Sequence, residues 1–258
     1  MSYQNVLSEV RSGVAYITIN RPKQLNALNK KTIEELNDAI NKADQNRAVK
    51  CLIITGADTK AFVAGADIKE FAHYNEEEGA NLAKNGQHML FTLLENLSTP
   101  TIAAVNGFAL GGGLELAMAC HMRVASVNAK LGLPEVSLGV IPGYGGTQRL
   151  AQLVGKGKAM ELITTAAMLT AEEAKQWGLV NHVCSHDELI PTCEKIASKI
   201  ARNSSVAIGY AIKAVNAGFN SQGYQAEIDA FGACFGTEDF KEGTTAFIEK
   251  RKAEFPGN

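Results

Sequence analysis

The sequence predicts an α/β protein that ends in an all-helical tail. Up to about residue 190, short apolar runs of strand length alternate with segments of helical periodicity; beyond it only helical periodicity remains. Size agrees: 258 residues, 46% hydrophobic and 20% charged, suit one globular domain with a small appendage.

The elements follow in chain order. Val14 to Ile19 is β-branched and aromatic and is stopped by Asn20-Arg21-Pro22, so it predicts a strand. Lys31 to Asp44 predicts a helix with Ile33, Leu36, Ala39, Ile40 and Ala43 on one face. Cys51 to Thr55 is a continuous apolar run ended by Gly56, the mark of a strand buried on both faces. Ala61 to Ala66 reads as a small-residue loop, after which Asp67 caps a helix with Glu70 three residues on. Glu76 to Asn96 predicts one helix with an exposed Gly86 as its weak point. Thr101 to Val105 is a second buried strand, Asn106 to Gly113 a turn, and Leu114 to Ala119 a helix.

Arg123 to Ser126 and Lys130 to Leu133 are short strands, followed by a glycine-rich stretch from Gly139 to Gly146. Short helices follow at 147–154, 157–165 and 170–177, the last with a capping box in Thr170-Ala171-Glu172-Glu173 and a Gly178 stop. Helical periodicity then covers 190–202, 205–218, 221–236 and 239–253. In this tail Phe231, Phe235 and Phe247 lie at spacings a lone helix cannot bury, which predicts packing against another subunit. The division expected is a core over 1–195 and a helical region over 196–258.

Composition excludes several function classes. Twenty-five basic against 27 acidic residues leave no excess to hold a nucleic-acid backbone. No apolar run approaches the roughly 20 residues that span a bilayer. The opening Met1-Ser2-Tyr3-Gln4-Asn5-Val6 has neither signal-peptide nor presequence character, so a cytoplasmic location is expected. Cys51, Cys120, Cys184, Cys193 and Cys234 are scattered singly, as buried free thiols are, with no metal or redox spacing.

Three segments offer chemistry. Ala64-Gly65-Ala66-Asp67-Ile68 follows a strand; its small residues admit close approach of a ligand, or only tight packing. Asn106 to Glu115 sets three consecutive glycines before a helix, which bares N–H groups and places Glu115 in the first turn. A structural glycine turn would look the same. In Gly132-Leu133-Pro134-Glu135-Val136, Glu135 sits among Leu133, Val136 and Leu138, a setting that keeps a carboxyl protonated, although a solvated turn is the plainer reading. The pair says more than either member. Two carboxylates in different environments divide acid and base roles, and two bare N–H groups, from Ala66 and Gly112, bind an oxygen that gains charge.

Competing motifs fail. There is no G-x-S-x-G elbow and no P-loop. His182 and His186 are four apart in a polar stretch without H-E-x-x-H order, so they read as solvated and not as a metal site.

Along essentially its whole length the sequence resembles the crotonase (enoyl-CoA hydratase/isomerase) family. The stretches that carry the likeness are Asn20 to Leu28, Phe62 to Ile68, Ala103 to Glu115, Pro134-Glu135, Ile141 to Arg149 and Thr245 to Arg251. The resemblance implies a crotonase-like spiral of ββα units and C-terminal helices that build trimers, stacked as a homohexamer. It implies an acyl-CoA thioester substrate, with CoA a part of the substrate and no metal or other cofactor. Lys23, Leu25, Ala27, Ala64, Gly65, Ala66, Asp67, Ile68, Lys69, Gly112, Pro134 and Gly143 are its implied binding positions, with Phe247 and Lys250, the latter from another subunit. Ala66 and Gly112 would hold the thioester oxygen. Glu115 and Glu135 together imply reversible hydration of a short-chain 2-enoyl-CoA. An enoyl-CoA isomerase, or a non-catalytic acyl-CoA or RNA binder, is the alternative. The sequence departs from well-known hydratases at Leu114 and Leu133, where Cys and Gln are frequent.

Overall fold

Residues 3–219 and 222–258 are described by the computed structural model. Among them, ten strands divide between two sheets. The larger begins as an antiparallel hairpin, β1 (Val6–Arg11) with β2 (Val14–Ile19). Its turn residues, Ser12 and Gly13, both have positive φ, as tight primed hairpins require. Parallel strands β3 (Cys51–Gly56), β5 (Thr101–Val105), β7 (Met122–Ser126) and β10 (His182–Cys184) extend it in the order β1-β2-β3-β5-β7-β10. The smaller sheet holds β4 (Ala61–Val63), β6 (Phe108–Leu110) and β8 (Lys130–Gly132) in parallel, closed by antiparallel β9 (Met168–Thr170).

The chain winds because each pass leaves one strand in each sheet: β3 then β4, β5 then β6, β7 then β8. Helices complete the turns: α1 (Lys30–Gln45), α2 (Glu76–Gly86), α3 (Thr92–Glu95), α4 (Gly112–Ala119), α5 (Gly146–Val154), α6 (Lys156–Thr165) and α7 (Ala171–Gln176). All five predicted core positions of α1 are buried. The β3 strand is buried on both faces: Leu52 and Ile54 join the main core, while Cys51 and Ile53 pack under α8 (Leu189–Ile200) with Leu189, Cys193 and Ala197. The tail then runs through α9 (Ser205–Ala217), α10 (Gly223–Cys234) and α11 (Glu238–Ile248). The expected start of its third helix at 221 lies outside the described residues.

Several expectations need correction. Ala61 to Val63 is a strand, because its fully buried side chains reward pairing with β6. Phe108 to Leu110 is likewise a strand and not part of a turn. Asp67 caps nothing: its carboxylate pairs with Arg21 at 3.1 Å, and only one 3-10 turn (Ile68–Glu70) follows. Gly86 is buried, and a Cβ there would lie 2.3 Å from the Tyr144 ring. The helix predicted over 76–96 passes through a π-helical stretch, Gln87–Phe91, between α2 and α3. The short strands β9 and β10 were not anticipated.

Candidate active site

The strand β5 delivers Asn106, whose buried side chain donates to the carbonyls of Gly56 (3.0 Å) and Asp58 (2.6 Å) and so pins the turn that follows. After β6 the chain reverses through Gly111 at φ 51, ψ −126, a conformation that glycine alone adopts easily. Its N–H donates to the Gly132 carbonyl at 2.9 Å. Then α4 starts hard against β4: a Cβ on Gly113 would lie 1.9 Å from the Val63 carbonyl oxygen. At its other end Arg123, itself buried, donates to the carbonyls of Cys120 and Leu179, both at 2.7 Å, and places positive charge at the helix's negative pole.

The first turn of α4 presents Glu115, which is 2% exposed. Its Oε1 accepts two short bonds, from the N–H of Tyr144 and of Gly146, each 2.7 Å. Burial pushes this carboxyl up to about 7; the two amides and Arg149 pull it down, and the charge of Glu135 adds to the rise. Helix dipole and amides thus fail to offset the loss of water. The second acid, Glu135, opens the 3-10 turn Glu135–Leu138 after β8. Its Oε1 lies 2.9 Å from where a Cβ on Gly111 would stand, so a side chain at Gly111 would displace it. Its Oε2 is buried without a partner among the described residues. Burial raises this carboxyl too, against its own backbone N–H.

Two amides converge beside the acids. The Leu28–Ala66 bridge is made by Leu28 N–H to Gly65 O (2.9 Å) and Asp67 N–H to Leu28 O (2.7 Å), which leaves the Ala66 N–H unused among the described residues. The N–H of Gly112, at the start of α4, also donates to no group among the described residues. A Cβ on Gly112 would point to within 3.7 Å of the Ala66 nitrogen. Two unused donors close together, next to two raised carboxyls, form a cradle for an oxygen that gains charge while protons move nearby.

A profile of the family described as "Enoyl-CoA hydratase/isomerase" matches residues 9–258. The chain belongs to the enoyl-CoA hydratase/isomerase family. It is 48% identical to a crotonyl-CoA hydratase from Syntrophomonas wolfei over 99% of both chains. It is 50% identical to a short-chain-enoyl-CoA hydratase from Clostridium acetobutylicum over 98% of both. Its fold is similar to the crystal structure of an enoyl-CoA hydratase from Bacillus anthracis, with TM-score 0.91, 40% identity, and 99% of this chain and 100% of that one covered.

In this family member the predicted substrate-binding positions fall into two groups. The first is assembled by the core. Ala64 N–H donates to Leu25 O (3.1 Å), and with the Leu28 bridge this holds the stretch carrying Lys23, Leu25 and Ala27 alongside Ala64 to Asp67. Arg21 braces the same junction, donating to the Ala27 carbonyl and pairing with Asp67. Lys69 and Ile68 are exposed just beyond, Pro134 precedes Glu135, and Gly143 precedes the amide that holds Glu115. The second group, Phe247 and Lys250, is exposed at the end of α11; no hydrogen bond or ion pair among the described residues joins it to the first.

The reading of single residues missed what holds the glutamate's partners. The buried guanidinium of Arg149 donates to the Tyr144 carbonyl (2.9 Å) and is clamped by Glu95, at 2.7 and 3.2 Å. At Gly145, with φ 95, a Cβ would lie 2.3 Å from that guanidinium. Tyr144 stacks on Phe91 at 4.6 Å. The only hint in the sequence was glycine density at 143–146. Of the two histidines, His182 lies exposed on β10, whereas the Nδ1 of His186 is buried and has no partner among the described residues, contrary to the solvated pair expected. Among the described residues no three His, Cys, Asp or Glu side chains group as a metal site. Two surface cavities, about 590 and 440 Å³, touch neither glutamate. Chemistry, not cavity size, locates the site.

Proposed function

We propose that this chain reversibly hydrates short-chain trans-2-enoyl-CoA to 3-hydroxyacyl-CoA, with Glu115 and Glu135 acting on one water. The observation that carries the reading is the pairing of a doubly anchored Glu115 with an orphaned Glu135 oxygen beside two unused amides. The short-chain preference is supported by relatives near 50% identity named for it.

The thioester oxygen accepts from the N–H groups of Ala66 and Gly112. They stabilise the negative charge it gains and leave C3 electrophilic; such a donor contributes roughly 3–4 kcal/mol. Glu115, ionised, takes a proton from the water as its oxygen bonds to C3. Glu135, whose burial favours the protonated form, gives the proton that ends on C2. The proton on Glu115 then returns to Glu135, so that the water's OH and one H have been added and the enzyme is unchanged. Dehydration reverses these steps. The scheme asks for no metal or redox group. CoA itself is proposed to lie along Lys23 to Ala27 and Ala64 to Lys69, with Pro134 and Gly143 walling the acyl end.

We also propose a homohexamer built from two trimers, working in the cytoplasm. The tail supports assembly: no described residue of α9 or α10 is buried, and Phe219, Phe231, Phe235, Phe247 and Ile248 are all exposed. Assembly would bring Phe247 and Lys250 to a neighbour's CoA. The free state of all five cysteines suits a reducing compartment. Among the described residues no helix is long and apolar enough to cross a membrane.

The test is turnover of crotonyl-CoA by purified enzyme, followed as loss of the conjugated thioester absorbance. Hydration is expected. No loss of crotonyl-CoA, together with conversion of a 3-enoyl-CoA to its 2-isomer, would transfer the chain to the isomerases. Sedimentation of the same sample as a monomer at micromolar concentration would end the assembly proposal.

A further inference from the structure

The π-helical stretch between α2 and α3 grips the loop that holds Glu115, and it does so through one peptide group. Gln87, its first residue, donates from Nε2 to the Gly143 carbonyl oxygen at 2.7 Å. That carbonyl and the Tyr144 N–H belong to the same peptide unit, and the N–H donates to Glu115 Oε1 at 2.7 Å. The order is therefore side-chain amide, peptide carbonyl, peptide N–H, carboxylate. A donor on the carbonyl draws electron density away from the peptide nitrogen and makes its N–H a stronger donor, the cooperative effect of linked hydrogen bonds.

The surroundings keep this line straight. Phe91, the last residue of the π stretch, stacks on the Tyr144 ring at 4.6 Å and 14°. Gly86, just before it, leaves room for that ring. Three positions of one helix thus fix the Gly143–Tyr144 unit from the side away from Glu115. A π turn is less favourable than regular helix and is found often at functional sites, and here it sets Gln87 and Phe91 on the same loop.

We infer that Gln87 is a positioning residue for the hydration reaction, acting on Glu115 across the Gly143–Tyr144 peptide. This rests on the assignment of Glu115 as base. Gln87 touches no reacting atom. It holds the Tyr144 N–H on Glu115 and strengthens that bond to the ionised carboxylate more than to the acid. The other groups whose charge reaches Glu115 are Glu135 and Arg149, and neither is altered by a change at Gln87.

The experiment compares Gln87→Met, which keeps side-chain length without the donor, and Gln87→Glu, which turns a carboxylate oxygen on the Gly143 carbonyl, with wild type and Glu115→Gln. The readouts are kcat and KM for crotonyl-CoA across pH, and the carboxyl titration of Glu115 by infrared difference spectroscopy, assigned through Glu115→Gln. In Gln87→Met, kcat is expected to fall about three- to tenfold with KM unchanged. The acidic limb of the profile and the Glu115 titration both move to higher pH, and Gln87→Glu falls further. A Glu115 titration that stays put in Gln87→Met overturns the inference, whatever kcat does. Retained activity in Glu115→Gln overturns instead the assignment of the base.

Discussion

The two acids of the site are the same residue type held in opposite ways. Glu115 rides on α4, a helix seated against β4 through a glycine, and one of its oxygens is fixed by two amides. Glu135 stands on a single 3-10 turn, and the loop after it exposes Leu138, Val140 and Ile141. Its Oε2 has no partner among the described residues. Burial lifts both carboxyls above the ordinary range, so the environments agree in direction and differ in anchoring. An anchored carboxylate presents its remaining oxygen at a fixed point, which suits a base. A carboxyl with an unsatisfied buried oxygen binds water or substrate to satisfy it, which suits a donor.

Neutral replacement leaves each acid unable to exchange a proton and sharpens this contrast the most. In Glu115→Gln the amide oxygen still accepts from Tyr144 and Gly146, so the loop should remain in place while hydration falls by about a thousandfold or more. In Glu135→Gln a comparable fall is expected. KM for crotonyl-CoA should change little in both, because the proposed holders of the thioester, Ala66 and Gly112, are untouched. Steady-state kinetics with crotonyl-CoA decide it: turnover within tenfold of wild type in either variant removes that acid from the mechanism. In the unaltered enzyme, activity should rise with pH through about 7 as Glu115 ionises.

The second expected effect is smaller and tests the anchoring itself. Arg149→Met removes the donor from the Tyr144 carbonyl and leaves Glu95 without its partner. Glu95 is partly open to water, so the cost to stability should be about 2–3 kcal/mol, below that of a sealed ion pair. Loosening the Tyr144–Gly146 loop should also lower kcat, by about tenfold to a hundredfold. Thermal unfolding and kinetics on one sample check both. Loss of stability with kcat unchanged would show that Glu115 is held well enough without Arg149.

The sequence displayed the contrast unevenly. Both glutamates, the Gly111 to Gly113 turn and the buried parallel strands were legible, because glycine beside a buried strand and long apolar runs are local signals. Gly86 was misread as exposed for the same reason: its neighbours in sequence are polar, and what buries it, Tyr144, lies far along the chain. Asp67 was misread as a cap because its partner, Arg21, approaches only in three dimensions. Short strands such as β4, β6, β9 and β10 have three residues each and no periodicity to detect; pairing alone defines them. Gln87 and Glu95 gave no signal at all, since a residue that acts through another has no motif of its own.

The mildest of the expected effects concerns stability and not turnover. A carboxyl raised by the fold binds its proton more tightly folded than unfolded. Its contribution is therefore fully present below its unfolded pKa of 4.5 and is lost as pH rises to about 7. Glu115→Gln has no charge to bury and loses nothing over that range. The variant should match wild type in Tm near pH 4.5, gain on it as pH climbs, and hold a constant lead of several degrees above pH 7. The ceiling on that lead is roughly 3 kcal/mol, set by the size of the rise and reduced by whatever water reaches the open oxygen. Titrating groups remote from Glu115, such as Glu242 with its Arg251 pair, are common to both proteins and cancel in the difference. Calorimetric scans at matched ionic strength measure it. A gap in Tm that does not change between pH 4.5 and 7 would mean that Glu115 is not raised by burial. The amides of Tyr144 and Gly146, which favour the ionised form, would then offset burial and leave Glu115 a weaker base.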